Sequence, residues 1–192
     1  MSSLGGELTE RQFGDLSVTR LIVMAGLPGS GKSTIGEIIG SRLGAQVVSV
    51  DPIESAILRA GIDADQPTGL AAYLVAEEIA STVLASGRSV VVDAVNAVEA
   101  ARLQWRDLAE RSQVELKVIE VFCSDEAVHR ERLERRESTL PHLAELTWRA
   151  VEQSLEGYAS WTGPSSALPR VTVDSTQPLG VNVDIALAFI GA

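Results

Sequence analysis

Lysine is nearly missing from this chain: Lys32 and Lys117 stand alone in 192 residues, against 26 aspartates and glutamates. With a formal charge of −10 and a pI near 4.7, the protein lacks the broad basic surface that grips long nucleic acids. Cysteine occurs once, at Cys123, so no internal disulfide forms and a reducing cytoplasm is expected. Cys123 falls at the end of an apolar run, where it reads as a small buried hydrophobe. No apolar run approaches the length of a membrane span, and a membrane partner is not expected. The opening MSSLGGELTERQFGDLSV has neither the basic start nor the apolar centre of a signal peptide. Residues 1–18 are therefore expected to form a flexible N-terminal extension. Histidine occurs twice, at His129 and His142, without a partner pattern, so surface or core roles are expected for both. Internal repeats and low-complexity linkers are lacking too. The 45% hydrophobic fraction argues against disorder, and residues 19–192 make up one domain's worth of chain.

What is present begins with residues 26–34, GLPGSGKST. Gly26, Gly31, Lys32 and Ser33 fall at the four required positions of a phosphate-binding P-loop. Leu27, Pro28, Gly29 and Ser30 fill the loop, and Thr34 follows it. Small, φ-permissive residues let successive backbone N–H groups turn inward around an anion, and the lysine reaches the outer phosphates. The hydroxyl of Ser33 is placed for Mg²⁺, and the next helix points its positive end at the phosphates. The context agrees. Residues 20–25 are a short apolar run that reads as a buried parallel strand. Residues 34–43 carry Ile35, Ile38, Ile39 and Leu43 at helical spacing.

The remainder alternates strand and helix. Strands are expected at 45–50, 89–93, 115–123 and 170–174. Helices are expected at 52–59, 70–86, 96–112, 125–137, 142–158 and 179–190, the third of these with a core stripe of Val98, Ala101, Trp105 and Leu108. Residues 62–69 read as a turn. Such alternation implies an α/β fold with a parallel sheet, helices on both faces, and ligands at the carboxyl ends of the strands.

Those ends carry the candidate chemistry. Asp51 opens Asp-Pro-Ile-Glu, a good helix start with aspartate as N-cap and glutamate at N3. A carboxylate there, beside the P-loop, is also placed to take a proton from an acceptor hydroxyl. Asp93 closes a run of valines in the manner of a Walker B acid that holds Mg²⁺ or its water; a solvated strand end is the alternative. Asn96, with Glu99 three residues on, reads as a capping box. Arg130, Arg132, Arg135 and Arg136 interleave with glutamates as a solvated helix face would. Arg132 and Arg136 are also four apart just before Pro141, where a lid at about 130–145 would lend charge to a transferring phosphoryl group.

In order, GLPGSGKST, VVSVDPIESAILRAG, VVVDAVNAVEAARLQWRDLA and VFCSDEAVHRERLERR resemble the AAA-type predicted kinases. These are related to the kinase domain of phage polynucleotide kinase and to chloramphenicol phosphotransferase. The resemblance covers roughly residues 21–174 and implies a P-loop fold of sheet order 2-3-1-4-5. By that likeness Asp51 matches the acceptor-activating aspartate, and Asp93 and Asn96 match a D-A-x-N stretch. Arg132 and Arg136 match the lid arginines, with Arg136 expected at the transferred phosphate. Polynucleotide kinases of this kind carry an arginine three residues after the acceptor aspartate, where this chain has Glu54. Together with the acidic charge, that favours a small neutral or cationic hydroxyl compound over a polynucleotide. The expectation is thus an ATP- and Mg²⁺-dependent kinase, monomeric or homodimeric, with Lys32, Asp51, Arg132 and Arg136 as its catalytic residues. A nucleotide-binding switch or regulatory ATPase is the alternative.

Overall fold

The computed structural model describes residues 18–135 and 158–192. Its elements, in chain order, are β1 (Arg20–Ala25), α1 (Lys32–Leu43), β2 (Gln46–Ser49), α2 (Val50–Arg59) and α3 (Thr68–Ala85). They continue with β3 (Val90–Asp93), α4 (Glu99–Ser112), β4 (Glu115–Phe122) and α5 (Glu126–Glu134). A 3-10 turn (Gly163–Ala167), β5 (Arg170–Asp174) and α6 (Leu179–Ile190) complete it.

The five strands form one parallel sheet of order β2-β3-β1-β4-β5. β1 is central, pairing Val23 with Val92 of β3 on one side and Val118 of β4 on the other. A parallel strand covered on both faces needs no polar alternation, which is why these runs are continuously apolar. Alternate residues still go to opposite faces. Leu21, Val23, Val90 and Val92 pack with Ala72, Ala76 and Ala80 of α3 and with Trp105 and Leu108 of α4. Ile22, Met24 and Val91 pack with Ile35 and Ile39 of α1 and with Val183, Ala186 and Ile190 of α6. Chain direction across the sheet reverses around β1, so the crevice for a ligand opens at its carboxyl end.

Several expectations need correcting. α2 begins at Val50 behind Ser49, whose extended backbone (φ −102°, ψ 133°) marks the cap, so Asp51 lies inside the first turn. A carboxylate there still meets the positive end of the helix, which is how the sequence imitates a cap. Likewise α4 starts at Glu99 behind Val98, so Asn96 is not its cap. The buried stripe of α4 is Arg102, Trp105, Leu108 and Ala109, while Val98 is exposed. Cys123 lies just past β4 and is half-buried, not buried. Finally, α3 is by length and composition apolar enough to cross a membrane. Here one side of it packs on the sheet through Ala72, Ala76, Ala80, Val83 and Leu84, as core helices do. The expected extension up to residue 17, Arg136, Pro141, His142 and most of the expected helix at 142–158 lie outside the described residues.

Candidate active site

The P-loop turns from β1 into α1 over residues 26–31, with Lys32 opening the helix and Ser33 and Thr34 in its first turn. Two glycines are obligatory for steric reasons. At Gly26 (φ +139°) an added Cβ would stand 2.1 Å from the carbonyl oxygen of Val121. At Gly29 (φ +79°) it would stand 3.2 Å from the His129 ring. His129, reaching over from α5, donates from Nε2 to the Pro28 carbonyl at 2.7 Å and is buried. Sequence spacing missed this residue, which braces the loop from behind. Lys32 is only 4% exposed and still belongs to the loop's cavity.

That cavity, of about 520 Å³, runs from Lys32 and Thr34 past Arg132 to Gln177 and Asn182 at the start of α6. Arg132 donates to Ser175 Oγ at 2.8 Å and to the Ser175 carbonyl at 2.9 Å, so α5 is clasped to the loop after β5. Arg130 and Arg135 instead make i,i+4 pairs with Glu126 (3.4 Å) and Glu131 (2.6 Å) on the solvated face. The arginine cluster therefore divides. One member enters the cavity, two face solvent, and Arg136 is outside the described residues. The segment expected as a lid is described only to Arg135, and that part continues α5.

On the other side of β1, Asp93 pairs in register with Met24 and with Ser49. Asp93 is 8% exposed; its Oδ2 accepts from Ser49 Oγ at 3.3 Å, and its Oδ1 is buried with no hydrogen-bond partner among the described residues. A buried anionic oxygen without a donor is costly unless a cation or water satisfies it. The donor set of Ser33 hydroxyl and Asp93 carboxylate is hard oxygen, which fits Mg²⁺. No cluster of three or more His, Cys, Asp or Glu occurs among the described residues, so such an ion would take its other ligands from phosphate and water.

Asn96, three residues on, is 1% exposed and holds a positive φ of 52°. Its Nδ2 donates to the Met24 carbonyl at 2.8 Å, and its Oδ1 accepts from Trp105 Nε1 at 2.8 Å. Its backbone N–H donates to Tyr73 Oη at 3.0 Å, and its carbonyl accepts from Arg102 Nε at 2.9 Å. Asn96 thus ties the ends of β1 and β3 together. Glu99 accepts instead from the Ser165 N–H at 2.9 Å and from the Ser165 hydroxyl. Burial first, then the carboxylates of Asp51, Asp93 and Glu54, push Tyr73 up to about 12 against the pull of the Asn96 N–H. One phenol therefore feels all three acids. Glu54 accepts from Thr68 Oγ1 at 2.8 Å, joining α2 to the start of α3.

A parallel sheet of this order with a P-loop at its central strand defines a P-loop nucleotide-binding protein with the fold of the P-loop kinases. Residues 21–160 match the AAA domain family, and the chain belongs to it. It is similar to a gluconokinase from Sinorhizobium meliloti (23% identity, TM-score 0.65, covering 91% of this chain and 92% of that one). A sugar kinase from Janibacter sp. is likewise similar (17%, TM-score 0.67, 90% and 94%). So is Kti12 from Chaetomium thermophilum, solved in complex with ADP-AlF3 (19%, TM-score 0.68, 88% and 96%). No curated protein matches the sequence significantly.

Proposed function

We propose that the protein is an ATP-dependent kinase that transfers the γ-phosphate of ATP to a hydroxyl of a small-molecule acceptor. The observation that carries this reading is the acid arrangement flanking the P-loop. Asp93 leaves one carboxylate oxygen buried and without a partner among the described residues. It pairs in register with Met24, two residues before the P-loop, and with Ser49, two residues before Asp51, so both acids stand at the same carboxyl edge of the sheet as the loop. A switch needs no such second acid beside its phosphate site; a kinase needs a base there.

In the proposed reaction the P-loop amides and Lys32 neutralise the β- and γ-phosphates, and the Arg132 guanidinium lines the nucleotide side. Asp51 accepts the proton of the acceptor hydroxyl as its oxygen bonds to the γ-phosphorus. The bond to the β–γ bridging oxygen breaks, and ADP leaves with the electron pair. Ser33 and Asp93 would hold Mg²⁺, which supplies charge neutralisation on the phosphates. Arg136 is assigned to the transferred phosphate by the family pattern. Glu54 and the −10 charge favour a neutral or cationic acceptor, not a polynucleotide.

The test is Asp51→Asn, assayed by acceptor-stimulated ADP release across a panel of hydroxyl compounds. Because Ser49 holds the N-cap position of α2, the exchange removes no cap and costs only the carboxylate's attraction to the helix end, about 0.3–1 kcal/mol. Transfer should fall by about 10²–10⁴ with ATP affinity nearly intact. A variant that melts normally and transfers at the parent rate removes Asp51 as the base and turns the reading toward a switch.

A further inference from the structure

The nucleotide cavity uses one face of the P-loop, through Gly29, Gly31, Lys32, Ser33 and Thr34. The opposite face opens on a second cavity of about 340 Å³, walled by Leu27, Ser30, Val121, Phe122, His129 and Tyr158. Three of those walls are rings, and Phe122, at the end of β4, is 43% exposed although strongly apolar. No lysine or arginine lines it among the described residues.

Its two acids are already engaged. Glu120 accepts from Tyr158 Oη at 3.0 Å and from Trp161 Nε1 at 2.6 Å, and it pairs with Arg170. Glu126 pairs with Arg130 at 3.4 Å. Among the described residues a charged guest would therefore meet no unpaired opposite charge to offset its lost hydration, which costs several kcal/mol, on the order of the penalty for an isolated buried ion. An uncharged guest escapes that penalty.

One polar group in the wall is unsatisfied. Ser30 Oγ is buried, at 1% residue exposure, and has no hydrogen-bond partner among the described residues. Its hydroxyl can both donate and accept, so one hydroxyl or amide on a guest would satisfy it.

We propose that this cavity binds a compact, uncharged, ring-sized apolar molecule through its walls and one polar group through Ser30 Oγ, at a site separate from the acceptor hydroxyl's place at Asp51. Ring faces on Phe122, Tyr158 and His129 suit an aromatic guest, which sets the probe.

The experiment uses benzyl alcohol and benzoate on the full chain without nucleotide, read by the rate at which N-ethylmaleimide labels Cys123, the single thiol and a residue of the cavity wall. Benzyl alcohol should slow labelling saturably, by about tenfold at ten times its Kd, and benzoate should need at least about tenfold more. Ser30→Ala should weaken the benzyl alcohol effect, with thermal melting run alongside and saturation-transfer NMR as a label-free measure. Protection that never saturates, or equal protection by benzoate, overturns the proposal. If benzyl alcohol protects Cys123 while no hydroxyl compound stimulates ADP release, the cavity stands and the kinase reading falls. If aromatic alcohols stimulate ADP release yet leave labelling untouched, the kinase reading stands and the cavity proposal falls.

Discussion

Lys32 is one of two lysines in the chain; the residue is 4% exposed at the start of α1 and lines the cavity. Its cation borders the cavity, where a bound phosphate would meet it. A charge-assisted contact of this kind contributes about 1.5–3 kcal/mol, so Lys32→Ala should weaken ATP binding at least about tenfold. Calorimetric titration checks this, and an unchanged affinity would remove the P-loop as the phosphate site. Because the cationic end is lost from a site that is not needed for packing, the melting temperature should hold or rise. Asn96 shows the other kind of residue. Nothing in its spacing separates it from a capping asparagine, yet its side chain bridges the Met24 carbonyl and Trp105 Nε1. The four-residue box pattern describes only neighbours in sequence, whereas these partners come from β1 and from the middle of α4.

Among elements, the start of α4 depends on Arg102. This guanidinium is 2% exposed and donates to the carbonyls of Asn96, Ala97, Ala159 and Ser160 at 2.6–3.1 Å. It also stacks over Trp161 at 4.0 Å. It therefore fastens the loop after β3, which carries Asn96, to the segment leading into the 3-10 turn. Arg102→Met keeps the stem but leaves those carbonyls without their donors, and it should destabilise by about 3–5 kcal/mol. Urea unfolding measures it; a loss under about 1 kcal/mol would mean that water replaces the guanidinium without cost. α5 has a similar double attachment, through His129 to the P-loop and through Arg132 to Ser175. From the sequence its arginines read both as a solvated face and, for Arg132 and Arg136, as lid arginines. The packed helix shows that Arg132, though exposed, reaches Ser175 and the cavity, while Arg130 and Arg135 pair along the surface.

For the whole molecule, net charge and buried titrating groups together set the pH range of stability. Burial works upward on Asp174, but hydrogen bonds from Ser124 and Thr176 outweigh it and bring the carboxyl from 3.8 to about 2. A carboxyl depressed in the folded state stabilises above its unfolded pKa, and that contribution is lost as the pH falls from 3.8 toward 2. Hydrogen bonds from Lys117 and then Arg20 depress Glu115, and those from Ser165 depress Glu99, in the same direction. Tyr73 works from the other end. Its phenol, raised by burial from 10.0 to about 12, stabilises below its unfolded pKa, and that contribution goes as the pH rises through this interval. Urea midpoints should therefore be flat from about pH 6 to 9 and fall on both sides. Asp174→Asn should flatten part of the acid limb, and a midpoint that is level down to about pH 2 would contradict the assignment.

The sequence by itself determined the P-loop, the positions of all five strands to within a residue or two, and the alternation that makes the sheet parallel. These follow from local rules: steric freedom at glycine, apolar runs for covered strands, and a 3.6-residue period for helices facing a core. Sheet order came through the family resemblance, and the structure has the same order. Tertiary structure alone decided that Ser49 caps α2, that Asn96 bridges to Met24 across 72 positions, and that His129 reaches Pro28 across 101. It also decided that the P-loop has a cavity on each face. Those contacts depend on which elements the folded sheet brings together, and spacing along the chain carries no information about a partner so far away.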